Sequence, residues 1–270
     1  MRLITWNINS VRLRLNMVKT IVKKFQPDIL CLQETKCPDD QFPLKEFEDM
    51  GFVSTKIYGM KGYNGVSISS RLPITSVEKK KFCRKNDARH ISAYINCKGK
   101  RIKVHNFYVP AGGDEPDVKV NEKFKHKLDF LKEATNWFTK KRAKNKDLMV
   151  LVGDLNIAPH ELDVWSHKQL RNIVSHTQIE IDKLLEFQES FKFIDAVRFI
   201  HGYNKKLYSW WSYRSKDWKK SNRGRRLDHV WISKKLLPNL KNVSIEEQIR
   251  GWKRPSDHVP IIVDLDLSKN

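Results

Sequence analysis

The sequence predicts an α/β fold in which a pair of mixed β-sheets is covered by helices. Apolar stretches of strand length recur along the chain and alternate with helical patterns. Short turns at Lys61–Gly65 and Lys98–Lys100 join neighbouring stretches as in hairpins, so antiparallel pairs accompany the α/β crossovers. No linker, low-complexity segment or change in composition divides the chain, and strands are predicted near both termini. We therefore expect one domain over residues 1–270.

The first half supplies most of the predicted strands. They cover Leu3–Ile8, Ile29–Leu32, Phe52–Tyr58, Val66–Ser70, His90–Asn96 and Ile102–Val109. Between the first two strands, Ser10 is expected to cap a helix that Pro27-Asp28 ends. The apolar face of that helix is formed by Val11, Leu15, Val18 and Val22.

The second half continues the alternation of helix and strand. Asp117–Arg142 is the longest predicted helix, and a buried strand over Leu148–Val152 follows it. A further helix covers Ile179–Phe187. The remaining strands cover Leu227–Ile232, Val243–Ile249 and Val259–Leu265.

Charge and composition restrict the function. Lys and Arg number 52 against 31 Asp and Glu, and the net charge of +21 suggests a polyanionic partner, either nucleic acid or an acidic membrane surface. An apolar content of 40% is too high for a disordered polyelectrolyte. No apolar run approaches the ~18 residues of a membrane helix, no secretion signal opens the chain, and the four cysteines form no Cys-x-x-Cys pair. These features favour a cytoplasmic protein in a reducing compartment.

Polar residues follow buried strands at four places. They are Trp6-Asn7-Ile8-Asn9, Leu32–Lys36, Gly153–Pro159 and Ser256–Pro260. An Asp or Asn after a strand more often caps a turn than binds a metal, so each motif alone is weak, but four in one chain indicate a site. Together they supply carboxylates, carboxamides and one imidazole but no thiolate, a donor set that suits Mg²⁺ or Mn²⁺.

The tripeptide Asp-His-Val occurs twice, at Asp228–Val230 and at Asp257–Val259. His229 lies inside a predicted strand, which favours a packed or surface role. His258 lies between Asp257 and a strand that begins at a proline, and it is the better candidate for chemistry.

These motifs, together with Arg226-Leu227-Asp228-His229, Phe107–Pro110 and Gly62–Val66, resemble the signatures of the exonuclease III family. Members of that family are abasic-site endonucleases of the wider endonuclease/exonuclease/phosphatase superfamily. The resemblance runs in order over essentially the whole chain. It implies a four-layered α/β sandwich, in which two packed mixed β-sheets are flanked by helices.

The resemblance also implies a metal site. Glu34 corresponds to the main Mg²⁺ ligand, with Asn7, Asn9 and Asp257 around it, and Mn²⁺ is expected to substitute. Some members carry Asp where this chain has Asn9, so that ligand is weakened here. The number of ions stays open, because the shared residues allow a second position. Its ligands would be Asp154, Asn156 and His258.

The catalytic roles follow from the same resemblance. Asp154, held by Asn156, would activate the attacking water or pass a proton. His258 would contact the scissile phosphate, with its other ring nitrogen oriented by Asp228. Tyr108 would place its hydroxyl by the phosphate, although the strand pattern alone favours an ordinary packed aromatic there.

The segment 210–226 combines seven basic residues and four aromatics with a single acid, and no period sorts them into inner and outer faces. Such a surface suits nucleic acid, because cations meet phosphates and rings stack on bases. A solvated loop with one or two tryptophans anchored in the core is the alternative. By resemblance, Trp210 and Leu227 line a pocket for an abasic sugar, with Trp211 beside it. Arg225 stands where some members have a third aromatic.

The function that these features predict is that of a Mg²⁺-dependent DNA-repair nuclease. It would cut the backbone 5′ to abasic sites in double-stranded DNA, with 3′–5′ exonuclease and 3′-phosphatase activity at 3′-blocked ends. A monomer without a membrane partner is expected. A phosphatase acting on inositol or sphingolipid headgroups and a catalytically inactive nucleic-acid-binding protein are the alternatives. The basic, tryptophan-rich segment argues against the first, and the full set of site residues argues against the second.

Overall fold

The computed structural model describes residues 1–142, 147–215 and 217–268. Its first seven strands are β1 (Arg2–Asn7), β2 (Ile29–Gln33), β3 (Ser54–Tyr58), β4 (Val66–Ser70), β5 (Ile74–Lys79), β6 (His90–Cys97) and β7 (Lys100–Tyr108). The others are β8 (Leu148–Asp154), β9 (Phe193–Asp195), β10 (Trp210–Trp211), β11 (Gly224–Arg225), β12 (Asp228–Ser233), β13 (Leu240–Ile245) and β14 (Ile261–Leu265).

The α-helices are α1 (Leu15–Phe25), α2 (Leu44–Asp49), α3 (Glu122–Arg142), α4 (His167–Leu170), α5 (Gln178–Ser190), α6 (Ala196–His201) and α7 (Trp218–Ser221). Short 3₁₀ helices cover Asp39–Gln41, Glu161–Asp163, Lys234–Asn239 and Glu247–Gly251. No helix among the described residues has the length and apolar content needed to cross a membrane.

The strands form two six-stranded sheets of matching plan and one short ribbon. The first sheet has the order β13-β14-β1-β2-β4-β3, the second has the order β5-β6-β7-β8-β12-β9, and the ribbon pairs β10 with β11. Each large sheet contains one parallel pair, β1 with β2 or β7 with β8, and its other pairs are antiparallel. Helix α1 makes the first parallel crossover and α3 makes the second. Both sheets are therefore mixed, as predicted.

The two sheets pack face to face. Successive side chains of a strand point to opposite faces of its sheet, so every second side chain of each sheet lies in the core between the two sheets. The apolar core between the sheets contains Leu3, Ile29, Cys31, Ile68, Ile91, Val104, Val150, Val152, Val230 and Val263. On its outer face, the first sheet is covered by α1 and α2, whose Val18, Ile21 and Phe47 pack on Ile4 and Trp6. On the other side, residues of α3 and α5 cover the second sheet. This confirms the predicted four-layered α/β sandwich.

Several element bounds differ from those predicted. Helix α1 begins at Leu15 without a side-chain cap, and Ser10 Oγ instead accepts from Leu13 N at 3.4 Å in the preceding turn. Helix α3 begins at Glu122, because Asn121 Oδ1 accepts from the amides of two residues of its first turn. Strand β5 was not predicted, since it lies at the edge of its sheet and is largely exposed. Strand β13 ends at Ile245, before a 3₁₀ turn.

A buried histidine pair lies on the outer face of the second sheet. Nε2 of His90 lies 3.0 Å from Nδ1 of His105, and both rings are fully buried against Phe107 and Trp137. The outer ring nitrogens of the two histidines have no hydrogen-bond partner among the described residues. Burial holds the pKa of each ring well below its ordinary value. Nearby lysines lower the pKa of His90 further, and His90 together with these lysines lowers that of His105. Both histidines are therefore neutral in the folded protein.

This pair should make the fold sensitive to mild acid. The unfolded chain binds protons at these histidines below about pH 6.5, whereas the folded chain does not, so the free energy of unfolding falls as the pH falls. Between pH 7.5 and 5.5 the wild type should lose about 2–3 kcal/mol more than His90→Leu/His105→Leu, at about 1.4 kcal/mol per histidine and pH unit. Urea unfolding at both pH values measures the difference. The same pH dependence in both proteins would contradict this assignment.

Candidate active site

The candidate site lies where the parallel pairs of both sheets end. Along β1, Asn7 follows Leu3 and Thr5 on the face that looks towards the second sheet. Along β8, Asp154 follows Val150 and Val152 on the opposing face. The side chains that face the core are therefore apolar along most of β1 and β8 and become polar at this end of both strands.

Two further segments bring their polar residues to the same end. Strand β12 runs antiparallel to β8 and sets Asp228 opposite Asp154. His258 precedes β14, and its carbonyl oxygen accepts from Trp6 Nε1 at 3.0 Å. Ser256 Oγ donates to Asn7 O at 2.7 Å, which fixes this segment against β1. Four of the segments singled out in the sequence thus meet in space.

Asn7 links the two sheets at the centre of the site. Its Nδ2 donates to Glu34 Oε1 and to Asp154 Oδ2, both at 2.9 Å, and lies 3.4 Å from Nε2 of His258. Glu34 has a φ of 49°, a left-handed conformation that turns the chain sharply just after β2. The carboxamide of Asn7 therefore holds both carboxylates close together, although they carry like charges.

Asp154 is fixed by Asn156. The amide of Asn156 donates to Asp154 Oδ1 at 2.9 Å, and Asn156 Nδ2 donates to Asp154 Oδ2 at 3.1 Å and to Val109 O at 2.9 Å. Asn156 has a φ of 54°, which asparagine tolerates better than most residues. Burial raises the pKa of Asp154 above its ordinary range, with Asp228 and Glu34 adding to the rise and His258 and Asn7 opposing it. This carboxylate is thus a stronger base than an exposed one.

His258 forms a buried pair with Asp228. Nδ1 of His258 lies 2.7 Å from Asp228 Oδ2, and Ser209 Oγ donates to the same oxygen at 2.7 Å. Burial disfavours the charge on His258, but Asp228 and Asp154 outweigh it and raise the pKa of the imidazole well above its ordinary value. The ring is therefore a cation that directs Nε2 towards Asp154, 3.6 Å away.

Tyr108 ends β7 with its side chain almost buried. Burial, followed by the charges of Glu34 and Asp154, raises the pKa of its hydroxyl well above the ordinary value. The guanidinium of Arg89 lies 4.9 Å from the ring centroid. Tyr108 therefore keeps its proton near the two carboxylates and can donate a hydrogen bond.

Asn9 and Asp257 form the outer side of the site. Asp257 accepts from Asn9 Nδ2 and, through its other oxygen, from Trp210 Nε1, both at 3.0 Å. Lys36 Nζ lies 2.9 Å from Glu34 Oε2 and donates to Asn9 Oδ1 at 2.6 Å. Sequence reasoning gave no role to Lys36, although it belongs to the motif that contains Glu34.

The donor set fits a hard divalent cation. Ligand atoms of Glu34, Asp154 and His258 lie within 4.8 Å of one another, and carboxylate oxygens predominate. The amide groups of Asn7 and Asn9 and the carboxylate of Asp257 surround them. Ions of this kind take oxygen ligands and keep several waters, so few protein ligands suffice.

A cavity of about 260 Å³ opens on this cluster. One wall is formed by Trp210, Leu227 and Arg225, and β10 pairs with β11 so that Trp210 and Arg225 face each other in register. Arg225 Nη1 donates to Val174 O at 2.9 Å and to Ser175 Oγ at 2.6 Å. Its guanidinium lies 5.4 Å from the ring centroid of Trp210. Three of the four residues expected at this wall are therefore present there.

Trp211 is the exception, because it does not line this cavity. Its side chain is 1% exposed and packs against Tyr208 and Val259. Its indole nitrogen donates to Asn222 Oδ1 at 3.0 Å. Adjacent residues of a strand point to opposite faces, so Trp210 and Trp211 cannot both face the cavity. Lys216, in the same basic segment, lies outside the described residues.

His229 is packed, as the sequence suggested. Its ring is fully buried, with Nε2 2.8 Å from Ile157 O. Burial, and then the charge of Arg226, lower its pKa to about 4. Of the histidines in the two Asp-His-Val tripeptides, only His258 lies at the site, whereas the first tripeptide contributes its aspartate, Asp228.

Comparisons with known proteins agree with this architecture. A sequence profile of the endonuclease/exonuclease/phosphatase family matches residues 4–258. Exodeoxyribonuclease III of Haemophilus influenzae is 30% identical over 275 residues, which cover 97% of this chain and 98% of that protein. An AP endonuclease structure from Archaeoglobus fulgidus has a TM-score of 0.89 and 31% identity over 99% of this chain and 100% of its own. The structure of the 3′ phosphatase NExo from Neisseria, bound to a product DNA hairpin, has a TM-score of 0.89 and 28% identity over 98% of this chain and 99% of its own.

The role of Asp228 in charging His258 can be measured directly. In Asp228→Asn, the carboxylate beside Nδ1 is lost, so we expect the pKa of His258 to fall by about 1–3 pH units. Titration of the ring Cε1 proton of His258 by NMR in the metal-free protein gives this value. The exposed Asp129 offers a matched control, and Asp129→Asn should leave the titration of His258 unchanged. An unaltered pKa in Asp228→Asn would show that other groups charge the ring.

Proposed function

This chain belongs to the endonuclease/exonuclease/phosphatase family, among the exodeoxyribonuclease III proteins, and we propose that it is a metal-dependent DNA-repair nuclease. It hydrolyses the phosphodiester 5′ to abasic sites and acts on 3′ ends as a 3′–5′ exonuclease and 3′-phosphatase. The observation that carries this proposal is the cluster of Glu34, Asp154 and His258 beside the cavity walled by Trp210 and Leu227.

Hydrolysis of a phosphodiester needs a base for the attacking water and positive charge at the phosphoryl oxygens. Asp154, with its raised pKa, is the proposed base, and Asn156 keeps its carboxylate in place. His258, charged through Asp228, and the hydroxyl of Tyr108 donate to the phosphate oxygens.

The proposed cofactor is Mg²⁺, with Mn²⁺ as a substitute. Glu34 is the main ligand, and Asn7, Asn9 and Asp257 lie around it. A second position would be formed by Asp154, Asn156 and His258, but it requires a neutral imidazole and is therefore an alternative to the charged His258 described above. When bound, such an ion polarises the phosphoryl group and lowers the pKa of water beside it.

The cavity supports selection of abasic DNA. Its volume of about 260 Å³ suits a sugar better than a complete nucleotide, and the indole of Trp210 and the side chain of Leu227 give it an apolar wall. Extruding an abasic sugar costs little, because no base stacking is lost. Arg225, where some members carry an aromatic, makes this wall partly cationic.

A second groove supports binding of a DNA strand. It has a volume of about 530 Å³, shares Trp210 and Arg225 with the site cavity, and is also lined by Arg214 and Arg223. With a net charge of +21 on the chain, binding to phosphates should weaken steeply with salt. We propose double-stranded DNA with abasic sites or 3′-blocked ends as the partner, a monomeric enzyme, and a cytoplasmic location.

A labelled duplex with one central abasic analogue tests the proposal. With Mg²⁺ it should give one incised product with a 3′-hydroxyl end, and EDTA should abolish that product. An undamaged duplex is the control for specificity. Binding without incision would favour an inactive nucleic-acid-binding protein, and activity on inositol phosphates alone would favour a headgroup phosphatase.

Asp154→Asn tests the proposed base. The amide cannot accept the proton of the attacking water, so abasic-site incision should fall by about 10²–10⁴-fold or more. Binding of the abasic duplex in EDTA should be nearly unchanged, as measured by fluorescence anisotropy. Incision at the wild-type rate would remove Asp154 from this role.

Glu34→Ala tests the proposed metal ligand. Losing this carboxylate should raise the Mg²⁺ concentration for half-maximal incision by about tenfold or more. Glu186, an exposed residue of α5 paired with Lys183, provides the matched control Glu186→Ala. The assignment fails if both variants keep the metal dependence of the wild type.

A further inference from the structure

An ion pair lies buried behind the site, between the two helices that cover the second sheet. Lys127 of α3 and Glu180 of α5 are both fully buried, and the ammonium donates to Glu180 Oε1. Neither residue borders the site cavity. The pair acts on the site through its hydrogen bonds to three neighbouring loops.

Lys127 uses its remaining donors on two loops of the site. Nζ donates to Asn156 O at 2.8 Å and to Ala111 O at 3.1 Å. Asn156 follows β8 and holds Asp154, while Ala111 follows β7 and lines the site cavity. The packing is close, because a Cβ added at Gly112 would lie 3.0 Å from Lys127 Cδ. One ammonium thus joins the loops that leave both strands of the parallel pair.

Glu180 holds a third loop. Both of its carboxylate oxygens accept from Ser175 N at 2.9 Å, and Oε2 also accepts from Thr177 N at 3.2 Å and Thr177 Oγ1 at 2.7 Å. Ser175 has a φ of 85°, which a non-glycine residue rarely adopts, so its backbone is strained. Ser175 Oγ in turn accepts from Arg225 in the cavity wall.

Stability alone does not account for this arrangement. A buried ion pair loses its hydration, and apolar residues of similar volume often stabilise a fold equally well or better. Here the charges instead satisfy backbone groups of three loops that converge on the cavity. A backbone in left-handed conformation, as at Asn156 and Ser175, persists only where its surroundings hold it.

We propose that Lys127 and Glu180 are positioning residues for the active site. Lys127 sets the place of Asn156 and through it the carboxylate of Asp154, and Glu180 sets the place of Ser175 and through it Arg225. The expected effect on turnover rests on the proposed nuclease function, whereas the geometric effect on Asn156 does not.

The double variant Lys127→Met/Glu180→Gln tests the lysine arm. A single substitution would leave a buried charge unpaired and would be strongly destabilising, whereas the double variant removes both charges and keeps the volumes. Glutamine retains an acceptor for Ser175, so the main loss is the hold on Asn156 and Ala111. We expect a folded protein with a thermal midpoint close to that of the wild type. Its kcat for abasic-site incision should fall by about 10–100-fold, with KM changed by less than about threefold.

A matched control is the pair of Lys103 and Glu78, at 3.1 Å, near the far end of β7. Lys103→Met/Glu78→Gln should keep the wild-type kcat. Adding Asn156→Ala to Lys127→Met/Glu180→Gln should cost less than about threefold further, because residues that act through one another are not additive. A folded double variant with wild-type kcat, or a full additional loss from Asn156→Ala, would overturn the proposal.

A structural readout separates this inference from the proposed function. The side-chain amide resonances of Asn156, assigned by comparison with Asn156→Ala, should shift in Lys127→Met/Glu180→Gln and stay in place in the control pair. If these resonances do not shift, the inference is overturned, whichever substrate the enzyme acts on. If the resonances shift in Lys127→Met/Glu180→Gln but the wild-type protein incises no abasic DNA, the positioning role is supported and only the nuclease function is overturned.

Discussion

The interface between the two sheets depends on polar contacts that cross it at one end. Asn7 of the first sheet donates to Asp154 of the second, and His258, beside β14, pairs with Asp228 of β12. Gln33 Nε2 of the first sheet also donates to Asn106 Oδ1 of the second at 2.6 Å, and the remaining core between the sheets is largely apolar and tolerates small adjustments of packing. The contacts of a buried carboxylate do not tolerate such adjustments, because losing its partner leaves an uncompensated charge. These few bonds therefore determine how the sheets meet, and the site is the result.

The residues that make these contacts form a cluster of negative charge inside a strongly cationic protein. The chain carries a net charge of +21, yet Glu34, Asp154, Asp228 and Asp257 lie together at the ends of strands. Each of these carboxylates has a different set of hydrogen-bond partners. Asp228 is committed to His258, Asp257 accepts from Asn9 and Trp210, and Glu34 and Asp154 share the amide of Asn7. The carboxylates thus differ in basicity and availability although they are close together.

Local sequence patterns were sufficient for most of the longer strands and for the strand-end motifs, because periodicity and strand-end chemistry are visible over a few positions. They did not show the edge strand β5 or the short strands β9, β10 and β11, and the four layers followed from the family resemblance. The register of the short ribbon decides which of the neighbouring tryptophans faces the cavity, and no local pattern shows that it is Trp210 and not Trp211. Lys127 and Glu180 are 53 positions apart, so no local pattern relates them. Ser209 supports Asp228 from 19 positions away and looks like any loop serine. Residues that act through distant partners were the ones that the sequence concealed.

The placement of β14 has a consequence for synthesis of the chain. Strand β14 lies between β13 and β1, and the amino group of Met1 donates to Leu265 O at 2.7 Å. Since β14 comes after all the other described strands in chain order, the ribosome supplies this partner of the first strand only after it has made the rest of both sheets, and Asp257 and His258 emerge only shortly before it. Until then the nascent chain lacks the imidazole that pairs with Asp228. A polypeptide released early, before residue 257, can neither complete its first sheet nor assemble this centre.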